Sequence, residues 1–470
     1  MNLNNVIEKI KKDEIINLIK KHANGAEIYL VGGCFRDFYL GTENFDKDIV
    51  VDKTDAEKFA KSLAVSIDAT YIPLDDENKI YRLITKDKTD CIDIAALVGK
   101  TIEEDLKRRD LTINSVAVDL KTHDIVDVTG GIEDLKNKKI KHISEQNFID
   151  DPLRLLRAYR FEAILGFSID EETTEIIKNH AEKIKLPAQE RLNYELMKLF
   201  SGNFSAKAIL EMNEAGILKE ILPITETLKT VPPNLHHHLD LFHHSVEIVN
   251  QIQQIYGKSD SRVKEHLETT DFGGFSRLAH LKFAGLLHDI GKPDTWTIEE
   301  ETGKHRFIKH DDLGSKMGAK LLKKQKYSKK QIEYISKMIK NHIYPSHVVS
   351  SPEITDKIYM RLIRKMDTDV IDVIILAMAD RYSARGVEIT EEVVNKNINA
   401  LNDLLNFYLN IKEDMVPLEK LLSGTEIMEI LNIKPSKELG NIIKQMQEAQ
   451  ISGEISTREE AIDFVKTKAV

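Results

Sequence analysis

The chain of 470 residues is 41% hydrophobic and 31% charged, which suits about three or four mostly helical domains with real cores. Its net charge of −10 argues against a partner held by non-specific phosphate attraction alone, and leaves any nucleic-acid contact to local basic clusters. No apolar run is long enough to span a bilayer, residues 1–5 lack a signal-peptide pattern, and the two cysteines, Cys34 and Cys91, exclude a disulfide-built fold, so a cytoplasmic protein is expected.

Residues 5–22 place Val6, Ile10, Ile15, Ile16, Leu18 and Ile19 at helical spacing, which predicts one amphipathic helix. From about residue 26 to 143 the pattern changes to short β-rich runs. The first, Tyr29-Leu30-Val31-Gly32-Gly33-Cys34-Phe35-Arg36-Asp37, reads as a buried strand ending in a double glycine, where phosphates can approach the backbone closely. The next strand opens with Asp46-Lys47-Asp48. Its two carboxylates are two residues apart and share a face, and they would repel unless divalent metals carrying a nucleoside triphosphate sat between them. A lone Asp-x-Asp is usually a solvated pair and a lone Gly-Gly usually a turn, but in this order they point together to nucleotidyl transfer.

A helix is expected around residues 55–65, then a hairpin of 79–85 with 88–95, turned at Lys86-Asp87. Within it Cys91, Asp93 and Ala95 alternate with Ile92 and Ile94, so Asp93 can project toward Asp46 and Asp48, or else face water from an edge. Three such carboxylates would serve two Mg²⁺ ions in an in-line displacement. Residues 115–120 and 125–128 predict a second hairpin. Between them and Asp93 lies Glu104-Asp105-Leu106-Lys107-Arg108-Arg109-Asp110-Leu111-Thr112-Ile113-Asn114, whose arginines can grip phosphates while Asp110 and Asn114 hold ribose hydroxyls. An Arg–Asp structural ion pair would explain the same residues.

Asp151-Pro152 reads as an N-cap followed by proline, and nearly everything beyond it reads as helix. In Asp150-Asp151-Pro152-Leu153-Arg154-Leu155-Leu156-Arg157-Ala158-Tyr159-Arg160-Phe161, helical spacing groups Asp150, Asp151 and Arg154. A carboxylate acceptor beside a guanidinium donor matches the amino donor and ring-nitrogen acceptor that cytosine and adenine share, and it mismatches guanine and uracil. Of the basic clusters, Lys107 to Arg109 and Arg154/Arg157/Arg160 belong to these blocks, while the lysines of 320–330 read as a solvated face.

These blocks, with Glu190-Arg191-Leu192-Asn193-Tyr194-Glu195-Leu196 after them, resemble the class II tRNA nucleotidyltransferases, the CCA-adding enzymes related to bacterial poly(A) polymerase. The resemblance covers about residues 26–200. It implies Mg²⁺ dependence and untemplated addition of C and A from CTP and ATP to tRNA 3′ ends. It also implies catalytic Asp46, Asp48 and Asp93, with metal on Asp46 and Asp48. Arg109, Asp110 and Asn114 would face the ribose and Asp150, Asp151 and Arg154 the base; Gly32, Gly33, Arg36, Arg157 and Arg160 complete the nucleotide-binding set. Two departures stand out. The base-reading block usually begins Glu-Asp and here begins Asp150-Asp151, and only residues 95–103 bridge the Asp93 strand and the Arg-Arg-Asp block. So short a link resembles the partial enzymes that add CC or only A.

Pro232-Pro233 marks a boundary before most of the 16 histidines. His236-His237-His238 is followed by Asp240 and His243-His244, then by an apolar run ending in His288-Asp289-Ile290-Gly291-Lys292, and by His310, His342 and Asp380. Imidazoles and carboxylates at several helix ends can assemble a divalent metal site that generates hydroxide, whereas a lone buried histidine is usually a core residue. The set His244, His288, Asp289 and Asp380 resembles the HD phosphohydrolase superfamily, with His310 and His342 as extra ligands. It implies a divalent transition metal and phosphatase or cyclic phosphodiesterase action.

The two resemblances together imply an α+β chain: a small nucleotidyltransferase sheet at the N-terminus, then an all-helical neck, HD-type body and tail. The expected division is a head over 1–148, a neck carrying the base-selecting motif over 149–230, an HD domain over 231–385, and a tail over 386–470 that contacts tRNA around 421–424 and 434–470. Ile455 to Glu460 should form a capping box. No membrane partner is expected. The competing readings are a partial CC- or A-adding enzyme, a poly(A) polymerase, and an HD phosphohydrolase or nucleotide-sensing regulator with an inactive head.

Overall fold

A computed structural model describes residues 3–42, 46–87, 90–234, 238–351, 355–386, 389–411, 420–452 and 454–468. The chain divides into two compact units, Met1–Leu222 and Pro223–Val470.

The first unit is organised by a seven-stranded sheet in the order β3-β4-β5-β2-β1-β6-β7. Its strands are β1 Glu27–Val31, β2 Asp46–Asp52, β3 Ala69–Asp75, β4 Ile80–Thr85, β5 Cys91–Ala96, β6 Ala117–Asp119 and β7 Ile125–Val126. Neighbours pair antiparallel except β2 and β5, which run parallel because the helix Ala56–Ser66 and the β3–β4 pair intervene between them in the chain. Leu30, Ile49, Ile92, Ile94 and Val118 are buried, so the alternation of β2 and β5 sends their acidic positions to the opposite face. Lys47 lies on the apolar side, buried, and its ammonium reaches Asp90 at 3.0 Å and Asp13 at 3.4 Å.

Both expected hairpins form, as β4–β5 and β6–β7. The second strand of the first begins at Cys91, and the expected residues Lys88 and Thr89 lie outside the described ones. The strand β3 was not anticipated: it is half-exposed and irregular between Pro73 and Asp75, so it lacks a clear apolar alternation. The expected N-terminal helix is two, Leu3–Lys12 and Glu14–Lys21. The Asp13 carboxylate breaks the run by capping the second, accepting from the Ile16 amide at 2.9 Å.

Beyond the sheet come helices Glu145–Asp150, Leu153–Leu165, Glu171–His180, Gln189–Ser201 and Ser205–Glu214. The neck is not wholly helical, since Lys139–Ile140 and Ser168–Ile169 form a short parallel pair. In the second unit, helices Leu241–Lys258, Arg277–Leu287, Lys329–Asn341 and Val370–Ser383 build the body, and every residue of Arg277–Leu287 is buried. A small hairpin, Trp296–Ile298 with His305–Phe307, interrupts them. The tail helices Gly424–Leu431, Lys437–Ser452 and Arg458–Lys468 enclose their own core around Ile427, Met446, Ala461 and Val465. The expected capping box closes at Thr457: its hydroxyl accepts from the Glu460 amide at 3.3 Å, and Glu460 accepts from the Thr457 amide at 3.0 Å. Among the described residues no helix is long and apolar enough to cross a membrane.

Candidate active sites

In the parallel register of β2 and β5, Asp48 lies directly opposite Asp93 and Asp46 opposite Cys91. Partners in register project to one face, so Asp46, Asp48 and Asp93 share it, as the alternation predicts. Burial raises the pKa of Asp48, the Asp93 charge raises it further, and Arg109 opposes both. Arg82, opposite Asp93 on β4, donates to both Asp93 oxygens at 2.7 Å. Sequence reasoning passed over Arg82; its signal was its place on the hairpin strand that pairs with Asp93.

The double glycine serves this cluster first. Gly33 opens the helix Gly33–Leu40 and its amide donates to the Asp48 carboxylate at 3.2 Å. Gly32 has a φ of +68°, and a Cβ there would lie 2.6 Å from an Asp48 oxygen, so only glycine lets the strand end come this close.

The Arg-Arg-Asp block divides in two. Arg108 and Arg109 both turn onto the fully buried Asp105, at 2.6 and 2.9 Å, which is the structural ion pair the sequence left open. Asp110 instead joins a network: Arg157 donates to it at 2.7 Å and the Asn114 amide at 3.2 Å, while Arg36 donates to the Asn114 oxygen at 2.6 Å. Burial pushes the Asp110 carboxyl up, but Arg157 outweighs burial and holds it below the usual range. Glu195 closes the network, 3.4 Å from Arg157 and 3.2 Å from Arg160. The Phe161 ring takes three guanidiniums, those of Arg36, Arg157 and Arg160, at 4.9, 5.7 and 3.9 Å from its centroid. Burial, then the Arg157 charge, brings Arg160 down to about 10.

The cluster expected to read the base differs from its expected form. Asp150 ends the helix Glu145–Asp150, Asp151 is that helix's C-cap, and the following helix starts at Leu153. Asp151 and Arg154 are adjacent through the backbone, yet their side chains do not pair with each other. Asp151 meets Arg191 at 2.9 Å, and Arg154 donates to the carbonyls of Arg108 at 2.8 Å and Asn147 at 3.1 Å. Asp150 accepts from Gln146 at 2.7 Å. Helical spacing specifies proximity of backbone positions but not which partner a long side chain takes.

In the second unit the candidate metal ligands converge from the ends of four helices. His288 and Asp289 follow the helix Arg277–Leu287, His244 sits in the first turn of Leu241–Lys258, His310 begins the helix His310–Lys324, and His342 follows Lys329–Asn341. One triad is His244, His288 and Asp289, and a second is Asp289, His310 and His342. Asp289 thus belongs to both: Oδ2 lies 2.9 Å from His288, and Oδ1 lies 3.2 and 3.5 Å from His310 and His342. His310 and His342, the expected extra ligands, thus meet Asp289 in a second candidate group.

The donor set fits a divalent cation. The Nδ1 atoms of His288, His310 and His342 donate to the carbonyls of Gly285, Phe307 and Ile339 at 2.7–2.8 Å, which turns each Nε2 lone pair inward. His288 Nε2 and both Asp289 oxygens are buried, and they are met by the titratable and charged groups of the cluster itself. Burial would raise the Asp289 carboxyl, but the neighbouring His288 and Lys292 hold it well below its ordinary value. Lys292, part of the motif but not singled out from sequence, stands 2.6 Å from Asp289. Asp380 lies 3.3 Å from His244, which keeps its carboxyl depressed against the effect of burial. His243 instead binds Asp240 at the helix start, at 2.6 Å, and His236 and His237 lie outside the described residues.

Three family descriptions match the chain in order: the Poly A polymerase head domain over residues 28–141, the probable RNA and SrmB-binding site of polymerase A over 166–228, and the HD domain over 241–385. The chain is 29% identical to the A-adding tRNA nucleotidyltransferase of Deinococcus radiodurans, over 93% of this chain and 94% of that one. It is 28% identical to the CC-adding tRNA nucleotidyltransferase of Thermus thermophilus, over 93% of each. To the Multifunctional CCA protein of Stenotrophomonas maltophilia it is 32% identical, over 62% of this chain and 69% of that one. The solved Thermotoga maritima CCA-adding enzyme complexed with tRNA shares the fold, with a TM-score of 0.57 at 22% identity over 100% of this chain and 99% of that one. The chain belongs to the class II tRNA nucleotidyltransferases, the CCA-adding and poly(A) polymerase family, and carries an HD phosphohydrolase domain.

Proposed function

We propose that this chain adds cytidylate and adenylate from CTP and ATP to the 3′ end of tRNA in the cytoplasm, and that its HD domain hydrolyses a phosphoester. The register of Asp48 against Asp93, with the Gly33 amide on Asp48, carries the transferase reading. Asp46 and Asp48, with Asp93 beside them, would hold Mg²⁺, which when bound activates the tRNA 3′-hydroxyl and steadies the triphosphate. Gly32 and Gly33 keep the strand end open to the phosphates. Asp110, Asn114 and Arg36, linked by hydrogen bonds through Asn114, would hold the ribose, and Arg157 and Arg160 supply positive charge around Phe161. Arg109 exchanges its Asp105 contact for the triphosphate.

Asp150, Asp151 and Arg154 read the incoming base. For that, Asp151 must leave Arg191 and Arg154 must leave the two carbonyls it now satisfies. The four-part division into head, neck, HD body and tail goes with this reading, with the tail contacting tRNA.

A second reading is partial addition, of CC or of A alone. It is favoured by one observation: β5 ends at Ala96 and the next helix begins at Ile102, so only residues 97–101 link them. Two assays separate the readings. Purified protein receives tRNA ending at the discriminator base, or at CC, with Mg²⁺ and labelled CTP or ATP. Labelled products on both substrates support full CCA addition, and product on one alone supports partial addition. Incorporation on neither substrate overturns the transferase proposal, and long A tails on unrelated RNA would make the chain a poly(A) polymerase.

The HD centre has His244, His288, Asp289, His310 and His342 as the residues that would hold divalent metal, with Asp380 beside His244. The metal would supply a hydroxide nucleophile at neutral pH. Lys292 sits against Asp289 and can meet the negative charge of a phosphoester. Release of p-nitrophenol and phosphate from p-nitrophenyl phosphate, or ring opening of a 2′,3′-cyclic nucleotide to its monophosphate, dependent on added Mn²⁺, Ni²⁺ or Co²⁺, tests this half.

A further inference from the structure

The last two turns of helix Leu241–Lys258, the end of helix Val370–Ser383 and one face of helix Glu391–Ile411 line a cleft of about 450 Å³ that neither metal-binding cluster uses. Its size falls within the roughly 300–1,000 Å³ of small-molecule sites. Its floor is apolar: Val263, Met378, Ile398 and Leu409 are all buried. Carboxamides project from two facing helices, Gln251 and Gln254 on one and Asn402 and Asn406 on the other. Two cations, Lys258 and Arg385, also line it, and neither forms an ion pair among the described residues. Arg385 is anchored by its Nε on the Tyr382 carbonyl at 3.1 Å. The one carboxylate, Asp260, is already engaged, capping the Val263 amide at 3.0 Å and meeting Arg262 at 3.2 Å.

Each wall selects a part of the ligand. An apolar floor under several carboxamides suits a flat heterocycle with mixed donors and acceptors. The carboxamide of Asn or Gln presents a donor and an acceptor side by side, a pair that adenine matches on two edges, N6 with N7 and N6 with N1, and cytosine on one, while the two rings of adenine cover more of the apolar floor. A Lys and an Arg with no ion-pair partner among the described residues suit a phosphate, the guanidinium through two parallel hydrogen bonds. We propose that this cleft binds a free adenine mononucleotide, apart from the nucleotide-reading residues of the first unit and from the HD metal centre.

The test is calorimetric titration of 5′-AMP into the full chain in EDTA, so that neither centre holds metal. The expected result is one site per chain, weakened roughly tenfold or more by Arg385→Glu and by Asn402→Leu, with CMP weaker than AMP by a similar factor. Arg154→Ala should leave it unchanged. Both cleft substitutions fall on exposed positions, and thermal melts confirm that the variants are folded. Absence of AMP binding overturns the proposal. So does binding that survives Arg385→Glu but is lost in Arg154→Ala, which would assign AMP to the first unit. Equal affinity for CMP removes the adenine assignment. An adenosine-ended trinucleotide that outcompetes AMP on the Arg154→Ala chain would make the cleft an RNA-end site instead.

Discussion

Asp48 and Asp93 face each other across the parallel strands β2 and β5, but their partners differ in kind: Asp48 accepts a backbone amide from Gly33, and Asp93 accepts both arms of Arg82. A guanidinium on Asp93 lowers the negative charge offered to a cation at this face. Arg82→Ala should therefore tighten Mg²⁺ binding, and the Mg²⁺ concentration for half-maximal nucleotide incorporation should fall severalfold. A rise in that concentration would show that Arg82 orients Asp93 for the metal rather than competing with it.

The two clusters lie in separate compact units. Asp48→Ala should abolish nucleotide incorporation and leave phosphoester hydrolysis intact, and His288→Ala should do the reverse. Loss of both activities from either folded variant would show that the chemistry is not divided in this way.

Glu195 is buried between Arg157 and Arg160. Removing one member of a buried charged cluster typically costs about 3–5 kcal/mol because its partners are left uncompensated. Glu195→Ala should lower the denaturation midpoint accordingly and raise KM for the nucleotide, since Arg157 also holds Asp110. Glu195→Gln, which keeps the hydrogen bonds but not the charge, should fall between. A Glu195→Ala chain with wild-type stability would remove the network from the account.

Burial raises Glu162 to about 8, against the opposing pull of Lys207 at 2.6 Å. A carboxyl whose folded pKa exceeds its unfolded value binds more protons in the native state, so its contribution is fully present below about pH 4.3 and is lost as pH rises through about 8. Glu162→Gln should flatten the fall in Tm between pH 5 and 8 and raise Tm at pH 8 relative to wild type. A steeper fall in the variant would reverse the assignment.

Because Asp289 belongs to both triads, Asp289→Asn should remove bound metal altogether, while His310→Ala or His342→Ala should remove part of it. Equilibrium dialysis against Mn²⁺ measures this directly. A His310→Ala chain that binds as much Mn²⁺ as wild type would exclude the second triad as a ligand set.

What local pattern can encode was legible in the chain. Period-two alternation placed Asp46, Asp48 and Asp93 on one face, because the β pleat leaves no other choice once Ile49, Ile92 and Ile94 are buried. The glycine pair, the HD pair at a helix end and the capping box at Thr457 are likewise short-range features. β3 escaped because a half-exposed strand with a proline carries little apolar signal, and the N-terminal helix was divided by a capping carboxylate that hydrophobic spacing does not register.

Partner choice was a different matter. Spacing brought Asp151 and Arg154 together, but Arg191, forty positions away, takes the first, and the carbonyls of Arg108 and Asn147 take the second. Whether Arg109 faced a phosphate or a carboxylate depended on where Asp105 was buried. The sharing of Asp289 between two histidine pairs depended on how helices far apart in sequence end. The sequence by itself determined which chemistry each segment carries, because residue type and period are local properties. Tertiary structure alone decided which charge compensates which, because a buried charge takes whatever opposite charge or carbonyl the packing brings within about 3 Å.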